Sequence, residues 1–182
     1  SDLFSKTGDK PFDLLKEYAQ PYSISVIGEL LGVPEEDHNL FLDWSHRIVK
    51  MYDFEVSKED AESAEDAARD FYDYSLDLLN ERRSNPKDDM ITRLSQVSEN
   101  NVYLTDQQII CTMILLLNAG HEATVNTLGN GLRALVSNNI DFDEIKNKNI
   151  PTKDVVEELI RWDSPLQFFL RYVLEDAEIG EY

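Results

Sequence analysis

The feature that most constrains this fold is a long, proline-free helical pattern that runs from Thr105 to about Val136. Thr105 and Gln108 form a capping box, which marks a helix N-terminus because each side chain satisfies a backbone N–H of the other residue. At about 1.5 Å per residue this helix would be roughly 45–50 Å long, far beyond the usual range of about 8–20 residues. A helix of this length crosses a whole domain.

Small residues and a carboxylate lie inside this helix. The apolar run Met113–Leu117 continues directly into the segment Asn-Ala-Gly-His-Glu-Ala-Thr, residues 118–124. A glycine in a helix interior costs about 1 kcal/mol relative to alanine, and an ionisable group beside an apolar run must find a partner or shift its pKa. Neither is the cheapest way to build a core, so the segment needs a further explanation.

Four residues of this segment share one face of the helix. At positions i, i+3, i+4 and i+7 stand Leu116, Ala119, Gly120 and Ala123. Three of the four are very small, and such a stripe lets a flat body approach the backbone closely. A crossing with a second helix would use small residues for the same purpose, and the spacing alone leaves both interpretations open.

The rest of the chain predicts a mainly α protein with very little strand. Apolar residues recur at helical spacing before and after the long helix. The other predicted helices are Pro21–Leu31, 35–51, Ser57–Arg83, Met90–Leu94 and Pro151–Trp162, with a loop over Ser98–Asn101 and a short turn over Asp141–Ile145. The last stretch, Phe168–Ile179, is predicted to be a strand. With 182 residues, of which 42% are hydrophobic, the chain suffices for one sizeable core.

The charge balance argues against two classes of partner. The 17 Lys and Arg residues stand against 36 Asp and Glu residues, a net charge of -19, which repels nucleic-acid backbones and anionic lipid headgroups. The longest strongly apolar stretch, Ile109–Ala119, is shorter than the roughly 20 residues of a membrane span, and no signal peptide is visible. The single cysteine cannot form an intrachain disulfide. We therefore predict a cytoplasmic protein that binds neither nucleic acid nor membrane.

Several motifs agree in order and spacing with those of one enzyme family. They are Asp13–Tyr18, Leu30–Asp37, Leu79–Arg83 with Asp88–Asp89, Ala119–Thr124, and Glu158–Arg161 followed by Ser164–Pro165, Arg171, Glu175–Asp176 and Ile179–Gly180. In these motifs the chain resembles the cytochromes P-450, the heme-thiolate monooxygenases, in their bacterial and archaeal form. The resemblance covers nearly the entire chain but less than half of a complete family member.

The resemblance implies a fold. Residues 1–182 would be a single partial domain, the central portion of the cytochrome P-450 catalytic domain. The helices at 35–51 and 57–83 would form the lid over the substrate channel, and 105–137 the distal wall of the heme pocket. The Glu-x-x-Arg helix and a short terminal strand would follow.

The resemblance also implies roles for individual residues. It makes Glu122 and Thr124 catalytic, with Glu122 delivering protons, a role that needs a carboxylate with access to water; without the family, Glu122 is an ordinary surface acid. The family usually has a threonine at the position of Ala123, and here the hydroxyl comes one residue later, at Thr124. Proton relay by the usual residue is therefore in question.

Cofactor, substrate and structural roles follow in the same way. The resemblance assigns heme contact to Leu116, Ala119, Gly120, Ala123 and Arg171, and the substrate pocket to Leu115, Asn118, Leu166 and Phe168. Arg171 would bind a heme propionate, because a guanidinium fork suits a carboxylate. Glu158 and Arg161 would be the family's buried structural pair, whereas outside the family their i, i+3 spacing predicts a surface pair.

The cysteine that would ligate the heme iron is not in this sequence. Heme-thiolate chemistry needs a thiolate in a loop whose backbone N–H groups donate to the sulfur. Cys111 lies instead within the long helix, nine residues before Gly120, and is predicted to be a core thiol. His38, His46 and His121 predict no ligand cluster, so no metal held by side chains is expected, and His121 is expected to be structural.

Three functions remain open at this point. The first is a fragment of a heme-thiolate monooxygenase, which would insert one oxygen atom into a small organic substrate with electrons from a ferredoxin or flavin partner. The second is a heme-free relative that acts as a helical binding partner or activator of another enzyme. The third is a generic acidic helical interaction module. An absorption spectrum of the chain with added heme would separate the first from the other two.

Overall fold

The fold is mainly α, as predicted. The computed structural model describes residues 11–99, 102–168 and 173–176. Its helices are α1 Gln20–Leu31, α2 His38–Val49, α3 Lys58–Ser84, α4 Met90–Gln96, α5 Asp106–Ser137, α6 Phe142–Asn147 and α7 Thr152–Trp162. A π-helical turn, Leu15–Ala19, precedes α1, and 3-10 turns at Glu35–Asp37 and Lys50–Tyr52 flank α2.

The helix ends lie where side-chain chemistry places them. The capping box at the start of α5 is formed, with Thr105 N 2.9 Å from Gln108 Oε1 and Gln108 N 3.2 Å from Thr105 Oγ1. Ser57 Oγ accepts from Asp60 N at 3.0 Å and caps α3. Gly32 ends α1 with a φ of 92°, a left-handed conformation that favours glycine. The bounds of α1, α3 and α5 therefore fall within one residue of those predicted.

Three short segments differ from the sequence prediction or fall partly outside the described residues. The predicted loop at Ser98–Asn101 contains one strand of a hairpin, in which β1 Ser98–Glu99 pairs antiparallel with β2 Val102–Tyr103. The predicted turn at Asp141–Ile145 is the start of α6, which Asp141 caps. In the predicted terminal strand, residue 168 and residues 173–176 have no regular secondary structure, and the remainder lies outside the described residues.

The chain divides into two compact units, Ser1–Gly129 and Asn130–Tyr182. The core of the first unit contains an aromatic cluster in which Phe41 and Trp44 of α2 pack against Phe71 and Tyr74 of α3, with ring centroids 4.7–5.8 Å apart. Aliphatic residues from α1, α4 and α5 complete this core; they include Ile24, Ile27, Leu31, Ile91, Ile109, Met113 and Leu117. The lid helices of the sequence analysis, α2 and α3, therefore carry much of the core of this unit.

A buried ion pair joins α3 to the start of α4 in the first unit. Arg82 Nε donates to Asp89 Oδ2 at 2.5 Å, and the two side chains are 2% and 5% exposed. Arg82 Nη2 also donates to the backbone oxygen of Gly32 at 2.7 Å. Asp89 in turn caps α4 by accepting from Thr92 N at 2.9 Å. Through the bond to Gly32, the ion pair therefore also contacts the end of α1.

The long helix α5 has the composition of a membrane span but contributes to the core. By length and composition it could cross a membrane, although 39% of its most apolar window is buried inside the protein. The residues that α5 buries in the first unit are Ile109, Ile110, Met113, Leu117, Asn118, His121 and Val125. They recur mostly at intervals of three or four residues, as on one face of an amphipathic core helix.

The second unit is held by contacts between the end of α5 and the segment around α7. A Cβ at Gly131 would lie 3.0 Å from Leu159 Cδ1, so this glycine allows the two helices to approach closely. Arg133 Nη2 lies 2.7 Å from Asp163 Oδ2. None of the residues of α7 is buried, and Val156 and Trp162 are 44% and 57% exposed.

Candidate functional site

The middle of α5 presents a buried and an exposed face. Leu117 and His121 are fully buried. Leu115, Ala119 and Ala123, which follow one another at intervals of four residues, are exposed. The face that carries Ala119 and Ala123 is therefore not covered by the first unit, and it consists of apolar side chains of which two are methyl groups.

Gly120 belongs to a different contact from its two alanine neighbours. A Cβ at this position would lie 3.0 Å from Ile27 Cδ1 of α1. Ser23 Oγ donates to the backbone oxygens of Gly120 and His121, at 3.3 and 3.2 Å. Gly120 thus permits the crossing of α1 and α5. The prediction of a helix–helix crossing therefore holds for Gly120, whereas the side chains of Ala119 and Ala123 are exposed and available for contact with another molecule.

Glu122 stands beside a histidine from α2. Its Oε1 lies 3.6 Å from His46 Nε2, and the side chains of Glu122 and His46 are 31% and 39% exposed. The carboxylate is therefore reached by water and has a polar neighbour. Thr124 is exposed, and its Oγ1 donates to the backbone oxygen of Gly120 at 2.9 Å, so this hydroxyl proton is engaged within the helix.

His121 is fully buried, yet neither of its ring nitrogens has a hydrogen-bond partner among the described residues. Burial, followed by the charge of His46, lowers the pKa of His121 to about 4, so the imidazole is neutral near pH 7. Its ring centroid lies 5.7 Å from that of His46. The prediction that the histidines form no cluster is wrong for this pair, because packing of α2 on α5 brings them together.

The residues assigned to the substrate pocket differ in exposure. Asn118 is 7% exposed, and its Oδ1 accepts a hydrogen bond from Ser45 Oγ at 2.8 Å. Leu115, in the first unit, is 62% exposed. Leu166 and Phe168, in the second unit, are 50% and 56% exposed.

Glu158 and Arg161 form the predicted pair on α7. Arg161 donates to both carboxylate oxygens, at 2.6 and 2.7 Å, which lowers the pKa of Glu158. The side chains are 57% and 66% exposed, so in this chain the pair lies at the surface. Arg171, the proposed propionate ligand, lies outside the described residues.

The prediction that Cys111 is a core thiol is wrong, because its side chain is exposed. Ile110 and Met113 carry the buried face of α5 at this level. Consecutive helical residues point about 100° apart, so Cys111 faces away from the core. It has no glycine-rich loop around it and lies within a continuous helix.

Comparison with known proteins identifies relatives that extend over most of the chain. No protein-family model matches. The chain is 35% identical, over 165 residues, to the polyketide biosynthesis cytochrome P-450 PksS of Bacillus subtilis, a match that covers 90% of this chain and 40% of that protein. It is 37% identical, over 171 residues, to the vitamin D(3) 25-hydroxylase of Pseudonocardia autotrophica, covering 93% of this chain and 41% of that protein.

The fold is also similar to solved structures. The crystal structure of P450BioI in complex with hexadec-9Z-enoic acid ligated acyl carrier protein superposes with a TM-score of 0.89 and 29% sequence identity. The match covers 98% of this chain and 46% of that one. The chain thus spans less than half the length of the relatives that it matches.

Proposed function

We propose that residues 1–182 are one partial domain of a cytoplasmic heme-thiolate monooxygenase. The premise is that this chain is similar in both sequence and fold to the central part of a cytochrome P-450. Heme in this family activates dioxygen so that one oxygen atom enters an organic substrate. Electrons would come from a ferredoxin or flavin partner. The cysteine that ligates the heme iron would have to be supplied by residues outside this sequence.

The observation that carries the proposal is the exposed face of α5 at Ala119 and Ala123. Methyl side chains there leave room for a planar macrocycle to lie close to the helix backbone. Leu116, half-buried beside them, would complete the apolar contact. Gly120 would contribute indirectly, since its missing side chain faces Ile27. Arg171 would bind a propionate. The residues present therefore fit the cofactor.

Glu122 would hold and transfer the proton that oxygen activation consumes. Its carboxylate is reached by water and lies beside His46, which suits a group that must exchange protons with solvent. Thr124 would have to break its hydrogen bond to Gly120 before its hydroxyl could take part. We therefore rank Glu122 ahead of Thr124 as the proton donor.

The substrate would carry a polar group. Ala123 places no hydroxyl on the face proposed to meet the cofactor, so a hydroxyl or carbonyl on the substrate would help to order water for proton transfer. Asn118 would orient that group through its NH2, because its amide oxygen already accepts from Ser45. The resemblance to the cytochromes P-450 also assigns apolar lining of the substrate pocket to Leu115, Leu166 and Phe168.

The decisive experiment is to extend the sequence. The reading frame downstream of codon 182 should encode a Phe-x-x-Gly-x-x-x-Cys-x-Gly segment. The protein it specifies should give, when reduced under carbon monoxide, the Soret band of thiolate ligation. The present chain alone should not give that band, because Cys111 is outside any ligand loop. A stop codon before any such segment would overturn the proposal, as would a thiolate band in the present chain that Cys111→Ser abolishes.

The proton-delivery role has its own test in that longer protein. Glu122→Ala should lower turnover, and Ala123→Thr should raise the product formed per electron pair with apolar substrates. Glu59→Ala, an exposed acid in the first turn of α3, is the matched control and should change neither quantity. If Glu122→Ala leaves both unchanged, Glu122 is an ordinary surface acid.

A heme-free helical partner of another enzyme is the second candidate. It is favoured by the apolar side chains that α7 exposes, which include Ile160 and Trp162 at 39% and 57% exposure. Absence of any heme binding by the longer protein, together with binding of α7 to another protein, would support this candidate.

A further inference from the structure

We propose that His46, His121 and Glu122 form a binding site for one divalent transition-metal ion, with Zn²⁺ as the best fit. Nothing in the proposed monooxygenase function requires such a site. Each of the three residues offers one ligand atom, and these atoms all lie within 4.8 Å of one another. The ion would link α2, which carries His46, to the middle of α5.

The distances are close to those of a coordinated ion. In a tetrahedral zinc site with bonds of about 2.0–2.2 Å, the ligand atoms are separated by about 3.3–3.6 Å. His46 Nε2 and Glu122 Oε1 are 3.6 Å apart already. Bringing the His121 nitrogen into place requires a closure on the order of 1 Å. The side chains of His46 and Glu122 are both partly exposed, so they have room to rotate towards the buried ring.

His121 supplies an independent reason to expect a ligand. A buried polar atom is normally hydrogen-bonded. A buried atom without a partner loses its hydrogen bonds to water and gains none within the protein, which is unfavourable. Both ring nitrogens of His121 are buried and have no partner among the described residues. A metal ion would give one of these nitrogens a partner.

The ligand set selects the class of ion. Two imidazoles and one carboxylate are a common zinc set, in which water occupies the fourth position. Mg²⁺ prefers oxygen ligands and near-ideal octahedral geometry, so it should not compete at this site. The chain's net charge of -19 favours the approach of any cation, and millimolar Mg²⁺ can therefore be used to saturate weak sites among the surface acids.

Zinc binding would have a consequence for the proposed monooxygenase, and this consequence alone rests on that function. A coordinated Glu122 cannot transfer protons. Zinc would therefore inhibit turnover in the longer protein, and it would do so without changing the thiolate spectrum. The binding measurement below does not depend on heme.

The test is a zinc titration of the tag-free, chelator-treated 182-residue chain, followed by calorimetry in millimolar Mg²⁺. We expect one Zn²⁺ per chain. His46→Gln, His121→Gln and Glu122→Gln should each weaken binding by about tenfold or more, because loss of even an outer-shell partner of a metal ligand commonly weakens metal binding by about 10–100-fold. Circular dichroism of each variant checks that the helices persist.

Two controls match these changes. His38→Gln alters a buried histidine of α2 that is not a proposed ligand, and Glu59→Gln removes an exposed acid from α3; both should leave the zinc affinity of the chain unchanged. Because His121 is buried, His121→Gln can fail to fold, and the partly exposed His46 then carries the test. The site is refuted if no zinc binds in the presence of Mg²⁺, or if His46→Gln affects binding no more than His38→Gln.

Discussion

Two regions of this molecule hold an arginine–carboxylate pair, and the two pairs lie in opposite environments. In the first unit, Arg82 and Asp89 are almost fully buried and donate or accept further hydrogen bonds. In the second unit, Arg161 holds both oxygens of Glu158 in good geometry, yet more than half of each side chain is exposed. Geometry alone therefore does not rank the pairs; burial does, because water screens the exposed charges and cannot reach the buried ones.

The same contrast extends to the apolar residues. The first unit encloses aromatic rings from α2 and α3 in its core. In the second unit α7 buries none of its residues. The first region supplies its own core, whereas α7 has an apolar surface that the second unit does not cover.

The largest expected effect is the loss of the buried pair. Arg82→Met leaves the Asp89 carboxylate buried without its countercharge, and it should lower the free energy of unfolding by about 3–5 kcal/mol. Urea denaturation measures this change. Arg83→Met is the matched control, since Arg83 pairs with Asp106 at the surface and its loss should be small. Equal effects of the two substitutions would contradict the assignment of burial as the deciding factor.

The next largest effect is expected at Gly32, whose backbone oxygen accepts a hydrogen bond from Arg82. Gly32 has a φ of 92°, and a Cβ there would clash with the Asp89 carboxylate. Gly32→Ala should therefore cost about 1–3 kcal/mol of unfolding free energy from backbone strain alone. Gly129→Ala provides the comparison. Gly129 lies in a regular helix, and a Cβ there would contact only the flexible end of the Leu15 side chain. A loss at Gly129 equal to that at Gly32 would rule out the strain argument.

Acid should weaken the first region through Asp89. Burial alone would raise the pKa of Asp89, but hydrogen bonds from Arg82 and Thr92 outweigh burial and hold this pKa below its ordinary value. Since the folded pKa is the lower one, the stabilisation is complete above the ordinary value and is lost as the pH falls below it, by at most about 1.4 kcal/mol per pH unit. Urea midpoints from about pH 5 to pH 2.5 should fall less steeply for Asp89→Asn. Parallel curves for the two proteins would show that another group carries the acid transition.

The smallest effect is expected for the exposed pair. Glu158→Gln should leave the urea midpoint of the chain unchanged within error, because both side chains are solvated. A marked loss of stability would break the comparison. It would mean that the Glu158–Arg161 pair is covered in solution, as the resemblance to the cytochromes P-450 leads us to expect in a complete domain.

Much of the local structure could be predicted. Helix ends follow from contacts within about four residues of the chain, and the sequence alone is enough to place the capping box at Thr105 and the end of α1 at Gly32. The motif at Ala119–Thr124, taken together with Glu158–Arg161 and the residues that follow it, also indicated the family to which the relatives belong.

What only the tertiary structure decided depends on residues far apart in the chain. Periodicity could not show that α1 packs against Gly120 and leaves Ala119 exposed, or that Cys111 faces away from the core. Nor could spacing bring His46 next to His121, because the two lie on different helices. The physical reason is that a helix pattern describes which residues share a face, whereas burial and pairing depend on which other helix covers that face.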